Sequence, residues 1–340
     1  MAASIAIDLG TSRTRIFVPK KGVIVDEPSV VAIEPKTREI IAVGDEAHEM
    51  LGRTSKRRQV VFPLLGGMIC DYYLIENMVR VFLKRARRAK LIMPKAVICI
   101  PGEVTDVQKM AAINAIEAAG VRRVHVIEAH IAAAIGSGVE VKNPHGSMIV
   151  NIGAGTTDIA VISLNGLVSS NSVRMAGDNM DEEIIKYMKR EHKLAIGKKT
   201  AETIKIEIGS VLPQVKKLVF RSKGRDSITG MPKWVDVHSE DISKILYKIA
   251  DKIITKISNM LELTAPELVG DILEDGVFLS GGCAQLSGFN ELIGERTGLK
   301  VSLVEDPIYC VARGTGYAIS YMKCASRSKN FGIIDPLSME

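Results

Sequence analysis

The stretch Met148–Ser163, MIVNIGAGTTDIAVIS, constrains this chain more than any other. Met148 to Ile152 is an apolar run suited to a buried strand, Gly153-Ala154-Gly155 breaks it, Thr156-Thr157-Asp158 follows, and Ile159 to Ile162 is apolar again. Strand, glycine turn and strand predict a hairpin whose turn can approach a ligand closely, because glycine lacks a Cβ and tolerates positive φ. Backbone N–H groups and threonine hydroxyls at such a turn can cradle a phosphate. A plain hairpin with no ligand is the competing reading, and a second copy of the pattern argues against it. Ile5-Ala6-Ile7-Asp8-Leu9-Gly10-Thr11 is also an apolar strand followed by an Asp, a glycine and a Thr, and Arg15 to Val18 resumes a strand. Two such loops, roughly half the chain apart, predict two similar lobes closing on one nucleotide.

A chain of 340 residues has room for two to three domains and a sizeable core. Its net charge of +6 permits contact with anionic lipid or nucleotide without demanding a nucleic-acid partner. The five cysteines (Cys70, Cys99, Cys283, Cys310 and Cys324) are scattered and none forms a C-x-x-C pair. That pattern predicts a reduced cytoplasmic compartment, with neither a disulfide framework nor a zinc site. Met1-Ala2-Ala3-Ser4 runs straight into a strand, so no signal peptide is expected, and no apolar run is long enough to span a bilayer.

Strands alternate with helices along the chain, which predicts an α/β fold. Segment 35–65 is polar and basic and reads as a small insert in the first lobe. Leu74, Met78, Val81, Phe82 and Arg85 mark an amphipathic helix ending in the basic run Lys84–Lys90. Leu91, Ile92 and Met93 follow; an apolar loop beside cations suits insertion into an anionic membrane surface, and packing on the core is its alternative. Thr105-Asp106-Val107-Gln108 predicts a capping box opening a helix whose apolar side is Val107, Met110, Ala111 and Ile113. Ala132-Ala133-Ala134 predicts a helix packed closely through small side chains. Helix 200–209 puts Glu202 and Lys205 on one face. Two strands are expected within 219–236 around a turn, after which Ser239 caps a long helix. Val277 to Ser280 is a strand ending in Gly281-Gly282.

Asp8-Leu9-Gly10-Thr11, Asn151-Ile152-Gly153-Ala154-Gly155-Thr156-Thr157 and Leu279-Ser280-Gly281-Gly282 together resemble the three nucleotide signatures of the actin, heat-shock chaperone and sugar-kinase superfamily. Within it the chain is similar to the bacterial MreB family of actin-like cell-shape proteins. The resemblance runs in order through Glu27-Pro28-Ser29-Val30-Val31-Ala32, Ala42-Val43-Gly44, Ala132–Gly138, Met175-Ala176-Gly177-Asp178, Thr200-Ala201-Glu202 and Gly314-Thr315-Gly316, and it covers roughly Ile5 to Met322. It implies an actin-like fold with a duplicated ribonuclease-H-like core. The first lobe would take 1–33, 66–145 and 310–340, with 34–65 as its insert. The second would take 146–178 and 239–309, with 179–238 as its insert.

The resemblance further implies ATP (or ADP) and Mg²⁺ in the cleft, with assembly into paired protofilaments at the inner face of the cell membrane. Self-association is then expected, with paralogous subunits and an anionic membrane surface as further partners. Carried over by position, Gly10, Thr11, Gly153, Ala154, Gly155 and Thr156 hold phosphates, and Gly177 stands in the nucleotide signature that follows. Asp8 and, through water, Asn151 face the metal. Glu202 and Lys205 flank the ribose and adenine, and Gly281 and Gly282 let the backbone approach the nucleoside.

The departures bear on activity. The family carries two glutamates and a proline before the alanine run, where this chain has Glu128-Ala129-His130. The second glutamate orients the attacking water, and Ala129 stands in its place. The aspartate opening the second phosphate loop is Asn151, and the middle glycine is Ala154. Phosphoryl transfer depends mostly on positioning and electrostatics, so weak or absent hydrolysis is expected, with Thr156 and Glu128 as the remaining candidates for holding a water and His130, one position along, as a substitute that would need different geometry. Two other readings compete. One is a partner that has lost nucleotide and copolymerises with an active paralogue. The other is a chaperone or sugar kinase, for which Asp158 and Asp178 are candidate bases. A nucleic-acid role has only Lys84–Lys90 behind it, without interleaved aromatics.

Overall fold

The computed structural model describes residues 4–55, 57–87, 95–139, 144–164 and 166–325. Two five-stranded sheets form its frame. In the first, the order is Arg123–Glu128, Lys95–Ile100, Ser4–Leu9, Arg13–Val18, Gly22–Pro28. In the second, it is Gly166–Val173, Thr157–Ser163, Ser147–Ile152, Val277–Ser280, Val301–Leu303. Each is an antiparallel meander of three strands extended by two parallel strands beside its first member. The same wiring occurs twice, and each copy carries one of the glycine loops between its first two strands.

Between the sheets lie helices Ala129–Ser137 and Cys310–Ala325. Ala132, Ala133 and Ala134 of the first and Val311, Ala318 and Ile319 of the second join Ala6 and Val97 of one sheet to Ile149 and Ala160 of the other in a single apolar cluster. The small side chains have a steric cause. A Cβ on Gly314 would overlap the carbonyl of Ala132, and one on Gly136 would overlap that of Cys310. Helix–helix contact this close admits nothing larger.

Two three-stranded sheets sit on the lobes, beside a two-stranded ribbon of Leu64–Leu65 and Met68–Ile69. Val31–Ile33 pairs with Ile40–Val43 and with Gln59–Val61. Val31–Ile33, grouped from the sequence with the core of the first lobe, therefore belongs by pairing to the small sheet. On the second lobe Leu194–Ala195, Val219–Asp226 and Pro232–His238 form a three-stranded antiparallel sheet.

Two local expectations are corrected. The capping box forms as read, with Thr105 N donating to Gln108 Oε1 at 2.9 Å and Gln108 N to Thr105 Oγ1 at 3.3 Å. The helix it opens, Asp106–Ala118, nevertheless turns Val107 and Met110 to solvent and buries Ala112, Ala115 and Ile116. The alanines pack closely on the neighbouring strand and helix, so the smaller residues make the inner face. Ser239 does not cap its helix, Ser239–Leu263, but is the first residue within it. Its Oγ instead accepts from Leu218 N at 3.1 Å, at the base of the strand Val219–Asp226. The residues Leu91, Ile92 and Met93 lie outside the described residues. No described helix is long and apolar enough to cross a membrane.

Candidate functional site

The two glycine loops face each other across a cleft of about 410 Å³. Its lining brings together Asp8, Gly10, Thr11, Asn151, Gly153, Ala154, Gly155, Thr156, Glu202, Lys205, Gly281 and Gly282, which the sequence distributes over three motifs and a helix. Ala129, Asp158, Asp178 and Asp181 line it as well. Gly177 and Glu128 do not.

Hydrogen bonds from neighbouring segments help to fix each loop. Ser29 Oγ donates to the carbonyl of Gly10 at 2.6 Å, and Gly67 N donates to Thr11 Oγ1 at 2.9 Å. In the second loop Gly153 N donates to the carbonyl of Thr156 at 2.9 Å. The first residues of helix Gly177–Glu191 then hold the loop from behind: Gly177 N donates to Gly153 O at 3.2 Å and Asp178 N to Ala154 O at 2.8 Å. The N–H groups of Ala154, Gly155 and Thr156 find no acceptor among the described residues, so three donors are left for an anion. Gly177 thus lies buried behind the cleft wall, where its carbonyl accepts from Lys205 Nζ at 3.2 Å.

Asp8 is the penultimate residue of the strand Ser4–Leu9, with Arg15 opposite it across the hairpin. Arg15 Nη1 lies 3.5 Å from Asp8 Oδ2, Arg15 Nε lies 3.3 Å from Asp26 Oδ1, and the guanidinium stacks on Tyr309. Burial pushes the Asp8 carboxyl up and Arg15 pulls it back. Asp158 is fully buried; Ser172 Oγ donates to it at 2.5 Å, and Thr156 Oγ1 donates to its Oδ2 at 3.1 Å. Burial raises this carboxyl too, against the Ser172 bond and the charge of His130. With its proton committed to Asp158, the Thr156 hydroxyl turns its lone pairs to other donors.

Opposite, Lys205 Nζ lies 2.8 Å from Asp181 Oδ1 on the neighbouring helix. Burial raises Asp181 to about 6, while Lys205 acts in the other direction. Lys198 bridges to Asp178 at 2.8 Å and also lies over the ring of Phe62, 4.7 Å from its centroid, tying the small sheet of one lobe to the other lobe. Asn151 Oδ1 accepts from Ser280 Oγ at 3.1 Å. Gly281 holds φ at +90°, and a Cβ there would overlap the carbonyl of Ile152, so only glycine carries the chain past the strand end. Glu128 turns away toward His130, with Oε2 3.1 Å from the buried Nε2.

Sequence reading missed Arg15, Asp181 and Lys198. Arg15 was detectable, since a turn over Gly10-Thr11-Ser12 sets it opposite Asp8. Asp181 and Lys198 owe their positions to the packing of two helices, for which no local pattern exists.

A divalent cation suits these residues in one manner only. Among the described residues no cluster of three or more His, Cys, Asp and Glu side chains could enclose a metal. Two carboxyls raised by burial, Asp8 and Asp158, nevertheless line the same cleft. That donor set fits Mg²⁺ held mainly by phosphates and water with a carboxylate beside it, the usual mode for this ion.

Comparison with known proteins agrees with this geometry. A family model described as MreB/Mbl protein matches residues 2–327. The chain is 42% identical over 316 residues to the cell shape-determining protein Mbl of Bacillus cereus, covering 93% of this chain and 95% of the relative. It is 40% identical over 321 residues to the cell shape-determining protein MreB of Escherichia coli, covering 93% and 92%. The crystal structure of MreB5 of Spiroplasma citri bound to ADP superposes with a TM-score of 0.91 at 32% identity, over 96% of this chain and 99% of that one.

Proposed function

The chain belongs to the MreB/Mbl family of cell shape-determining proteins, with an actin-like fold, and on that premise we propose that it binds ATP with Mg²⁺ in the cleft, polymerises, and hydrolyses the nucleotide poorly. The observation that carries the last part is Ala129, which lines the cleft at the opening of its helix while Glu128 turns to His130. A methyl group accepts no hydrogen bond, so it cannot orient a water.

Binding has its own support. The free N–H groups of Ala154, Gly155 and Thr156 suit phosphate oxygens, and the ADP bound by the Spiroplasma citri relative fits the same class of ligand. Mg²⁺, when bound, neutralises phosphate charge; Asp8 and, through water, Asn151 are the residues to hold it. Glu202 and Lys205 would flank the ribose and adenine, and Gly281-Gly282 would pass the nucleoside by backbone alone. Thr156, oriented by Asp158, is the residue left to hold a water. Filaments at the inner membrane face are the assembly this reading entails, with Leu91–Met93 as one lipid contact.

The test is phosphate release with ATP and Mg²⁺ beside a pelleting assay on the same sample and a parallel ATP titration. Polymer, saturable binding and little phosphate support the reading. Brisk release would mean that Thr156 or another group positions the water unaided. No binding would leave a nucleotide-free subunit that copolymerises with an active paralogue.

A further inference from the structure

Helix Ala129–Ser137 meets the cleft wall with three unlike residues in a row. Glu128 is its N-cap and has a side chain 39% exposed, Ala129 lines the cleft, and His130 is 1% exposed and outside the lining. The imidazole has no room to move. A Cβ on Gly102 would lie 2.6 Å from its Nδ1, so the backbone just after the strand Lys95–Ile100 rests directly on the ring. Its Nε2 is buried, makes no aligned hydrogen bond among the described residues, and stands 3.1 Å from Glu128 Oε2. A polar atom sealed from water keeps the acceptor within its reach, because no water can replace it.

The ring also acts on Asp158: burial raises that carboxyl, and Ser172, His130, Thr156 and the Gly102 N–H work against it. His130 therefore stands between one carboxylate that lines the cleft and one that does not. Glu128 has no other hold. Its side chain makes no cap bond to the helix it precedes, and among the described residues no other cation pairs with it. Its backbone is nevertheless placed for the cleft. Glu128 lies opposite Ile100 in the sheet and is followed by Ala129, and both of those residues line the cleft. The unpaired N–H groups of the first helical turn, with the positive end of the helix dipole, would draw a freed carboxylate to that side.

We propose that His130 is a positioning residue that keeps Glu128 turned out of the cleft, and that Glu128, once freed, takes the attacking water in place of the carboxylate that Ala129 lacks. This rests on the reading that the cleft binds ATP. In the step concerned, the water oxygen bonds to the terminal phosphorus, the bond from that phosphorus to the ADP oxygen breaks, and the water's proton passes to the Glu128 carboxylate, giving ADP and phosphate. Weak hydrolysis then has two causes in adjacent residues, a carboxylate absent at 129 and one diverted at 128.

Variants of the full chain separate this role from plain packing. His130→Leu fills the site without offering a donor and should raise phosphate release about ten-fold, part of the roughly 10²-fold that a positioned proton acceptor supplies. The rise should lie in kcat, with ATP affinity as in the parent. Adding Glu128→Gln to His130→Leu should return release to the parent rate. His130→Gln keeps a donor toward Glu128 and should stay near the parent rate. His130→Met, another apolar replacement, stands in if the leucine variant fails to fold, as judged by melting temperature. Three results would overturn the proposal and leave the nucleotide reading standing: no rise in a folded apolar variant that binds ATP, a rise that survives Glu128→Gln, or an equal rise in His130→Gln. Brisk release by the parent would overturn it as well, since Glu128 would not be held back. No ATP binding by the parent would defeat the nucleotide reading and the proposal with it.

Discussion

Gly155 and Thr11 meet across the cleft so closely that a Cβ on the glycine would overlap the threonine Oγ1. One belongs to each lobe's loop, and the same Thr11 oxygen accepts from Gly67 N at 2.9 Å. Gly155→Ala must therefore push the loops apart while leaving both sheets intact. Overpacking of this kind costs about 1–3 kcal/mol, so nucleotide affinity should fall by about ten-fold with the circular dichroism unchanged. Titration with a fluorescent ATP analogue decides it; undiminished affinity would mean that the loops grip nothing between them.

Gly281 and Gly282 separate two effects that adjacent glycines usually confound. Gly281→Ala meets the carbonyl of Ile152 at positive φ and should lower the melting temperature. Gly282 has open space where a Cβ would go. Gly282→Ala should leave the melting temperature of the free protein unchanged and weaken nucleotide binding, because only a bound nucleoside would fill that space. Equal binding by the alanine variant would remove Gly282 from the ligand's path.

Much of the frame was legible because glycine loops, apolar runs and alanine spacing are local signals with direct steric causes. Gly153–Gly155 breaks a strand, and Ala132–Ala134 with Gly136 can only belong to a closely packed helix. What stayed hidden depended on partners far along the chain. Ser239 looks like a cap until Leu218 N claims its oxygen. Val107 and Met110 look like an inner face until the spacing of Ala112, Ala115 and Ile116 is weighed over hydrophobicity. In the cleft, the glycines were readable, whereas the Asp181–Lys205 pair exists only because helices Gly177–Glu191 and Lys198–Ile208 pack together.

Ala129→Glu should restore a water-orienting carboxylate. Residue 129 opens the helix Ala129–Ser137, whose N-terminal dipole favours an anion, and it faces the cleft. Phosphate release should rise on the order of 10²-fold, the scale on which positioning a nucleophile acts. A rise confined to kcat, with ATP affinity unchanged, would identify the effect as catalytic. No rise would place the bottleneck elsewhere, with Asn151→Asp as the next substitution to combine.

Lys205 and Asp181 offer the last test, because the burial of this pair makes stability depend on pH in a defined direction. Burial raises the Asp181 carboxyl from its ordinary 3.8 to about 6. A carboxyl with a raised folded-state pKa binds its proton more tightly in the folded chain. Its contribution to stability is fully present below pH 3.8 and is lost as pH rises through about 6. Asp181→Asn should accordingly flatten this part of the stability profile between pH 4 and 6, read as the difference in urea midpoint between variant and parent. Lys205→Met acts oppositely: it leaves the carboxylate buried without its cation, and breaking a buried pair from one side costs about 3–5 kcal/mol. That loss should be largest at pH 7 and shrink as acid neutralises Asp181, whereas a loss independent of pH would show that Lys205 acts through packing rather than charge.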